Sequence, residues 1–337
     1  GGPAEHLLTL KKLARAAGLD VPLYTRTGWP ALKTALTFGE ILPLYGVYAE
    51  GFWDRELSPM PGNYWAGFHF STLRTDANIA NEALGRTDAK DAPDIARYPY
   101  LTCEIGGGMM SSYHRRILID PRDVEATTLV KLGSGSTSPG YYMYHGGTNP
   151  DGRLTTLMEN QATAVTNWND LPVKNYDFQA PLGQYGQIRP QYHALRRLHY
   201  FLRECGADLA ETSVALPAQR PAGRDDYTTL RWSVRSNGQR GFVFINNYER
   251  LQALPAKRGV QFDLTLADGS RLLFPAQPVT IAPDTDCIWP FHLDLGGVTL
   301  AYATAQPLSH IVDDNGIRTA FFAETPGVPA EFAFDVS

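Results

Sequence analysis

Two glutamates stand where an apolar run gives way to a glycine-containing loop. A carboxylate held there can act as nucleophile, general acid or general base. Glu104 ends the run Tyr-Pro-Tyr-Leu-Thr-Cys-Glu (98–104) and precedes Ile105 and the glycines Gly106, Gly107 and Gly108. Glu50 ends Leu-Pro-Leu-Tyr-Gly-Val-Tyr-Ala-Glu (42–50) and precedes Gly51, Phe52, Trp53 and Asp54. Each has a structural alternative, an ion pair: Glu104 with Arg115 or Arg116, Glu50 with Arg55 or Arg26. Spacing alone leaves Glu104 open between the two roles and favours pairing for Glu50. The glycines after Glu104 are read as room for a ligand. They give Gly-X-Gly-X-X-Ser over 106–111 with no acid about 20 positions later, which excludes a dinucleotide fingerprint. His145, beside Gly146 and Gly147, suits a hydrogen bond either to a substrate hydroxyl or to its own loop backbone. The eight histidines show no metal-binding spacing.

Aromatic residues crowd the loops: Trp29, Phe52, Trp53, Tyr64, Trp65, Phe68, Trp168 and Tyr185. Flat rings beside carboxylates and amides suit an amphipathic ligand such as a sugar, with apolar CH faces and a polar rim. Two or three of these rings are expected to touch ligand and the others to pack loops.

The elements that must position these groups follow from periodicity. Leu7, Leu10, Leu13, Ala14 and Ala17 recur at helical spacing over 5–17, and Gly18 ends that helix. Apolar runs at 21–25, 42–50, 98–104 and 140–145 read as buried strands, each leading into a polar, glycine- and aromatic-rich loop. Asp120-Pro121 starts a helix that Gly133 stops; Pro190 starts another that Gly206 is expected to close. Alternating strands and helices predict a parallel sheet. Four strands with such C-terminal loops read as half of a (β/α)₈ barrel, whose active site lies at that face. Only one helix precedes them, so the first four strands are expected upstream of Gly1 or on a separate chain. The start Gly1-Gly2-Pro3, without Met, is read as a processed or cut end.

From about residue 208 the pattern is all-β. Asn237-Gly238 and Ala267-Asp268-Gly269 join strand-like runs as hairpins, and further short strands continue to the end. The predicted fold is therefore α/β then all-β: residues 1–207 as the second half of a TIM barrel, strands five to eight, and residues 208–337 as a β-sandwich-like domain or small β-barrel. With 43% apolar and 19% charged residues and a net charge of −5, the chain suits neither disorder nor a basic nucleic-acid surface. No apolar run reaches the roughly 18 residues of a membrane span. Cys103, Cys205 and Cys287, odd in number and far apart, exclude a disulfide framework and a cysteine zinc site.

Several blocks together resemble glycoside hydrolase family 35, the retaining β-galactosidases. They are HLLTLKKLARAAGLDVPLYT (6–25), YMYHGGTN (142–149), YDFQAPLGQYG (176–186), FVFINNYER (242–250) and LDLGGVTLAYATAQPL (293–308). The resemblance implies a (β/α)₈ barrel followed by β domains, and cleavage of terminal β-galactosyl residues by double displacement. It implies a nucleophilic Glu at the end of strand seven. Counting the strands here as five to eight places that role on Glu104. It implies a general acid/base, in an Asn-Glu pair at the end of strand four, upstream of Gly1. Tyr142 is similar to the tyrosine lining the galactose site near the nucleophile; Tyr176, Phe178, His145 and Trp53 complete the expected substrate contacts. Where many members read Tyr-Asp-Tyr-Asp-Ala-Pro-Leu, this chain has Phe178 in place of a hydroxyl-bearing ring. No metal or organic cofactor is implied. The implied partners are a β-galactoside oligosaccharide and the missing N-terminal half-barrel, with neither nucleic acid nor membrane, and the implied location is periplasmic or extracellular. The alternative from another class is a carbohydrate-binding or structural fragment without turnover.

Overall fold

The computed structural model describes residues 2–26, 37–52, 64–86, 95–113, 115–154, 171–172 and 174–335. It begins with helix α1 (Pro3–Ala16), which has proline in its first turn and is followed by Gly18 at a φ of 84°. A positive φ of that kind costs glycine nothing, so Gly18 is a good stop. Leu10 and Leu13 are 48% and 61% exposed, so the stripe that marks this helix is left uncovered by the described residues.

Strands β1 (Tyr24–Arg26), β2 (Leu42–Val47) and β3 (Leu101–Ile105) form a parallel sheet in that order. Leu44 lies opposite Leu101, and Gly46 opposite Glu104. The fourth expected strand, 140–145, is not a continuous one. Residues 138–142 run parallel to β3 through bonds from Thr102 N to Ser138 O, Ile105 N to Gly140 O and Tyr142 N to Ile105 O. There β3 ends and offers no further partners, so the backbone passes to Leu182, which bonds Tyr144 O and receives Gly146 N. The glycines needed for that path then pair briefly as β4 (Gly147–Thr148) with β5 (Asn175–Tyr176). The four segments run in one direction, so their C-terminal ends, with Glu50, Glu104 and His145, face the same way.

Helix α2 (Asp76–Ala83) was not legible in the apolar pattern. It is capped by the Thr75 side chain, which accepts from Asn78 N. Helix α3 (Pro121–Gly133) starts where Asp120-Pro121 predicts, with a capping box: Asp120 accepts from Arg122 N while Asp123 accepts from Asp120 N. It is buried on every face from Asp123 to Gly133, because the β half covers the side that an isolated barrel helix would show to water. Its Lys131 is therefore paired internally, 2.9 Å from Asp76.

Helix α4 (Pro190–Ala210) runs through Gly206 rather than stopping there. Leu209, 1% exposed, extends the buried stripe of Leu195, Leu198, Phe201 and Cys205 by one turn. Burying a leucine stabilises by about 1.5–3 kcal/mol, which outweighs the roughly 1 kcal/mol cost of a helical glycine.

The β half holds β6 (Ser213–Ala215), β7 (Arg231–Ser236), β8 (Gly241–Asn247), β9 (Lys257–Thr265), β10 (Arg271–Ile281), β11 (Thr285–Asp294), β12 (Thr299–Ala303), β13 (Ala305–Val312), β14 (Arg318–Glu324) and β15 (Phe332–Phe334). The order β15-β12-β11-β8-β7-β6 makes one six-stranded antiparallel sheet; β9–β10 and β13–β14 are hairpins. Phe262, Phe274, Trp289 and Phe291 centre a second core. Arg235 joins the halves. It is fully buried on β7 and donates to Leu132 O at 2.7 Å, Ser136 O at 3.2 Å, Leu209 O at 2.7 Å and Thr212 O at 3.3 Å. One guanidinium thus satisfies carbonyls at the C-terminal ends of both α3 and α4, where positive charge is favoured.

Candidate active site

Glu104 sits at the penultimate position of β3, half-buried, and its Oε2 accepts a hydrogen bond from the Tyr48 hydroxyl at 3.0 Å. Tyr48 follows β2 by one residue and is 3% exposed. The register places Gly46 directly beside Glu104, so no side chain of β2 competes for that space and the Tyr48 ring reaches over. Burial first, then the neighbouring Glu104 charge, push the Tyr48 phenol far above its ordinary pKa; Tyr142 and Tyr176 add to the push. Tyr48 therefore stays protonated, a donor directed at the carboxylate.

The tyrosines expected around Glu104 are brought together. The Tyr142 and Tyr176 hydroxyls share a hydrogen bond. Phe178 packs edge-on to Tyr142 at 5.2 Å between centroids and stacks with Tyr176 at 5.8 Å. At 2% exposure Phe178 forms the backing of this wall, and the two tyrosines form its polar front. The loss of a hydroxyl at 178 thus falls behind the surface of the site. His145 is exposed, and its Nδ1 lies 2.5 Å from Gly146 O, so it bonds its own loop. Trp53, Trp29 and Trp168 lie outside the described residues.

The glycine run has a different use from the one expected. A Cβ on Gly106 would strike the Tyr48 ring, one on Gly107 the Met143 carbonyl, and one on Gly108 the carbonyls of Phe178 and Gln179. The space beside these glycines is filled by the protein's own wall, which they let close onto Glu104. That wall turns at Phe178 and Gln179 with φ of 58° and 49°, a left-handed pair that costs non-glycine residues energy. Side chains hold it in place. Gln179 Nε2 donates to Met109 O at 2.8 Å and to Ile117 O at 2.6 Å. Asp177 accepts from Gln184 N at 2.7 Å and from Arg189 at 2.8 Å. A carboxylate at 179 has no such donor, which gives this chain's Gln a physical reason.

Glu50 is the buried ion-pair residue. Its Oε1 lies 3.4 Å from Arg115 and accepts from Gly51 N at 3.1 Å, and its Oε2 lies 3.6 Å from Arg250 Nε. Among the described side chains the partners are Arg115 and Arg250, the latter brought by the 248–250 turn of the β half over the end of β2; the Arg55 and Arg26 side chains lie outside the described residues. Burial raises the Glu50 carboxyl above its usual range, against the lowering pull of Gly51, Arg250 and Arg115.

Tyr48 is the partner of Glu104 that sequence reasoning missed. It lies inside an apolar run with one other tyrosine, Tyr45, of equal weight, and only the register singles it out. The described chain also holds an Asn-Glu pair, Asn81-Glu82, of the kind implied for the acid/base. It lies on α2, away from any strand end. Glu82 accepts from Ser71 Oγ at 2.7 Å and pairs with Arg220 at 3.4 Å against the β half, so it does not face Glu104 as that role requires. Among the described residues no group of three His, Cys, Asp or Glu side chains is placed to hold a metal ion. None of the described helices is long and apolar enough to cross a membrane.

Glu104 at a strand end thus stands held by a buried phenol and flanked by a tyrosine wall. Residues 68–202, which contain Glu104, Tyr142 and Tyr176, match the family described as glycosyl hydrolases family 35. The chain is 28% identical over 195 residues to Beta-galactosidase 6 of Oryza sativa subsp. japonica, covering 57% of this chain and 20% of that protein. It is 37% identical over 79 residues to Beta-galactosidase 8 of Arabidopsis thaliana, covering 23% of this chain and 8% of that protein. The match thus spans about a fifth or less of the length of these relatives.

Proposed function

We propose that the intact protein is a retaining glycoside hydrolase that removes terminal β-galactosyl residues, with Glu104 as its nucleophile. The observation that carries this reading is the Tyr48–Glu104 hydrogen bond at the C-terminal end of β3, beside Tyr142 and Tyr176, inside the stretch that matches family 35. Residues 1–207 then form the second half of a (β/α)₈ barrel, and 208–337 a β-sandwich-like domain; four parallel neighbours support the first and two packed layers of antiparallel strands the second. An N-terminal half-barrel, on the same or another polypeptide, supplies the acid/base about 5–5.5 Å from Glu104. A periplasmic or extracellular location accompanies this reading.

In the first step a Glu104 oxygen bonds to the anomeric carbon as the bond to the leaving oxygen breaks, and the acid/base gives that oxygen its proton. In the second, water attacks the anomeric carbon, surrenders a proton to the same base and releases Glu104 as carboxylate. Tyr48 holds the carboxylate in line, and Tyr142 and Tyr176 present hydroxyls to the sugar.

The test is Glu104→Gln in the intact protein, assayed on an activated aryl β-galactoside. Turnover is expected to fall by several powers of ten with little change in substrate binding, and added azide to restore part of it as the α-galactosyl azide. Near-normal turnover by this variant, with an azide-rescued Glu50→Gln, would reverse the assignment.

A further inference from the structure

The β half contains a cleft of about 980 Å³ between the β6–β7 edge and strand β9, remote from Glu104 and within the size range of small-molecule sites. Trp232, Val234 and Ser236 line it from one face of β7, while Ser233 and Arg235 on the opposite face bond the end of α3. The Trp232 ring leans on Phe262 at 4.8 Å between centroids, which fixes its orientation. Its indole N–H has no acceptor among the described residues, in contrast to Trp289, whose Nε1 donates to Thr325 at 2.8 Å. A half-buried indole with an unused donor at the wall of a cleft is suited to a ligand that offers both an apolar face and acceptors.

The rim supplies the complementary groups. Gln219 and Arg258 are exposed, and their side chains are unpaired among the described residues; the nearby Asp263 is taken by Arg271. Thr228 and Thr229 donate to Asp226 at 2.9 and 2.7 Å, which leaves their oxygens free to accept. An apolar floor with separate donors and acceptors along its edge matches the CH faces and hydroxyls of a sugar chain better than it matches a purely apolar partner.

We propose that this cleft binds a stretch of oligosaccharide, with Trp232 as the platform and Gln219 and Arg258 donating to hydroxyls. The choice of a carbohydrate ligand rests on the glycosidase reading above. The cleft then holds a polymer while a chain end is processed elsewhere on the protein.

The test is affinity electrophoresis of the intact protein through gels containing soluble β-galactan, β-glucan or β-xylan, in the presence of excess galactose to occupy the hydrolytic site. Retardation by at least one polysaccharide is expected. Trp232→Ala should weaken it tenfold or more, and Gln219→Ala and Arg258→Ala, at exposed positions, about threefold each. All three variants should hydrolyse an aryl β-galactoside within twofold of the parent. Absence of retardation on every polysaccharide overturns the proposal. So does retardation that the two surface variants and Trp232→Ala leave unchanged, or occupation of the β9 edge by an extended peptide that sugar does not displace. Failure to hydrolyse the aryl galactoside strikes the glycosidase reading alone and leaves the retardation result standing.

Discussion

Replacing Tyr48 with Phe removes one oxygen and leaves the ring that packs over Gly106. The interaction with Glu104 that is lost is the hydrogen bond of 3.0 Å. Tyr48 is 3% exposed, so water cannot take the place of its hydroxyl without opening the wall. A hydrogen bond to a charged group contributes about 1.5–3 kcal/mol. If that bond orients the nucleophile in the transition state, its loss corresponds to about a 10- to 150-fold fall in kcat/KM, at 1.36 kcal/mol per tenfold. Folding stability should change by about 1 kcal/mol or less, since the ring contacts remain. The assay is steady-state hydrolysis of an aryl β-galactoside by the intact protein, with the urea midpoint measured in parallel. Because Tyr48 acts through Glu104, Tyr48→Phe combined with Glu104→Gln should be no slower than Glu104→Gln alone. A Tyr48→Phe enzyme within twofold of the parent, or additive losses in the double variant, would refute the positioning role and weaken the case for Glu104.

Glu50→Gln should lower stability by about 2–4 kcal/mol in urea, because it uncouples a carboxylate buried between Arg115 and Arg250, and azide should restore nothing. Arg235→Met should cost about 3 kcal/mol or more, because it strips the shared donor from the ends of α3 and α4; an unchanged urea midpoint would remove its role as the joint between the halves. Glu125, buried against Arg197 at 2.6 Å with Asp286 nearby, has its carboxyl pushed up to about 8 by burial and then by the Asp286 charge. A folded-state pKa above the ordinary 4.5 means that the folded protein keeps a proton the unfolded chain releases. Stability from this group is therefore full below about 4.5 and lost as pH rises through 8. The melting temperature should fall between pH 5 and 8.5, and Glu125→Gln should flatten that fall; an equal slope in both proteins would count against it.

Local chemistry was legible wherever one residue decides the backbone. Pro121 and Pro190 mark helix starts, Gly18 a helix end, and Asn237-Gly238 and Asp268-Gly269 hairpin turns, because each restricts or frees φ at a single position. Apolar runs ending in polar loops located β1, β2 and β3, and the run ending at Glu104 placed a carboxylate at a strand end. What the pattern could not resolve were balances between distant groups. Gly206 reads as a stop, yet the burial of Leu209 and the Arg235 cap carry α4 past it. The alternation that suggested a fourth strand gives only a partial one, since strand length depends on how far the neighbour β3 extends.

The sequence by itself determined which residue types stand near Glu104, the order of helices and strands, and the change to an all-β half, since these follow from local periodicity and turn chemistry. Only the tertiary structure decided what those residues do. Register set Gly46 beside Glu104 and so delivered the Tyr48 hydroxyl to it. Close backbone approach turned Gly106, Gly107 and Gly108 from apparent ligand space into the seat of the tyrosine wall. The fold of the β half over the end of β2 paired Glu50 with Arg250, 200 positions later, and left Glu104 rather than Glu50 facing Tyr142 and Tyr176. Pairings across such separations depend on where whole elements pack, and no window of neighbouring residues contains that information.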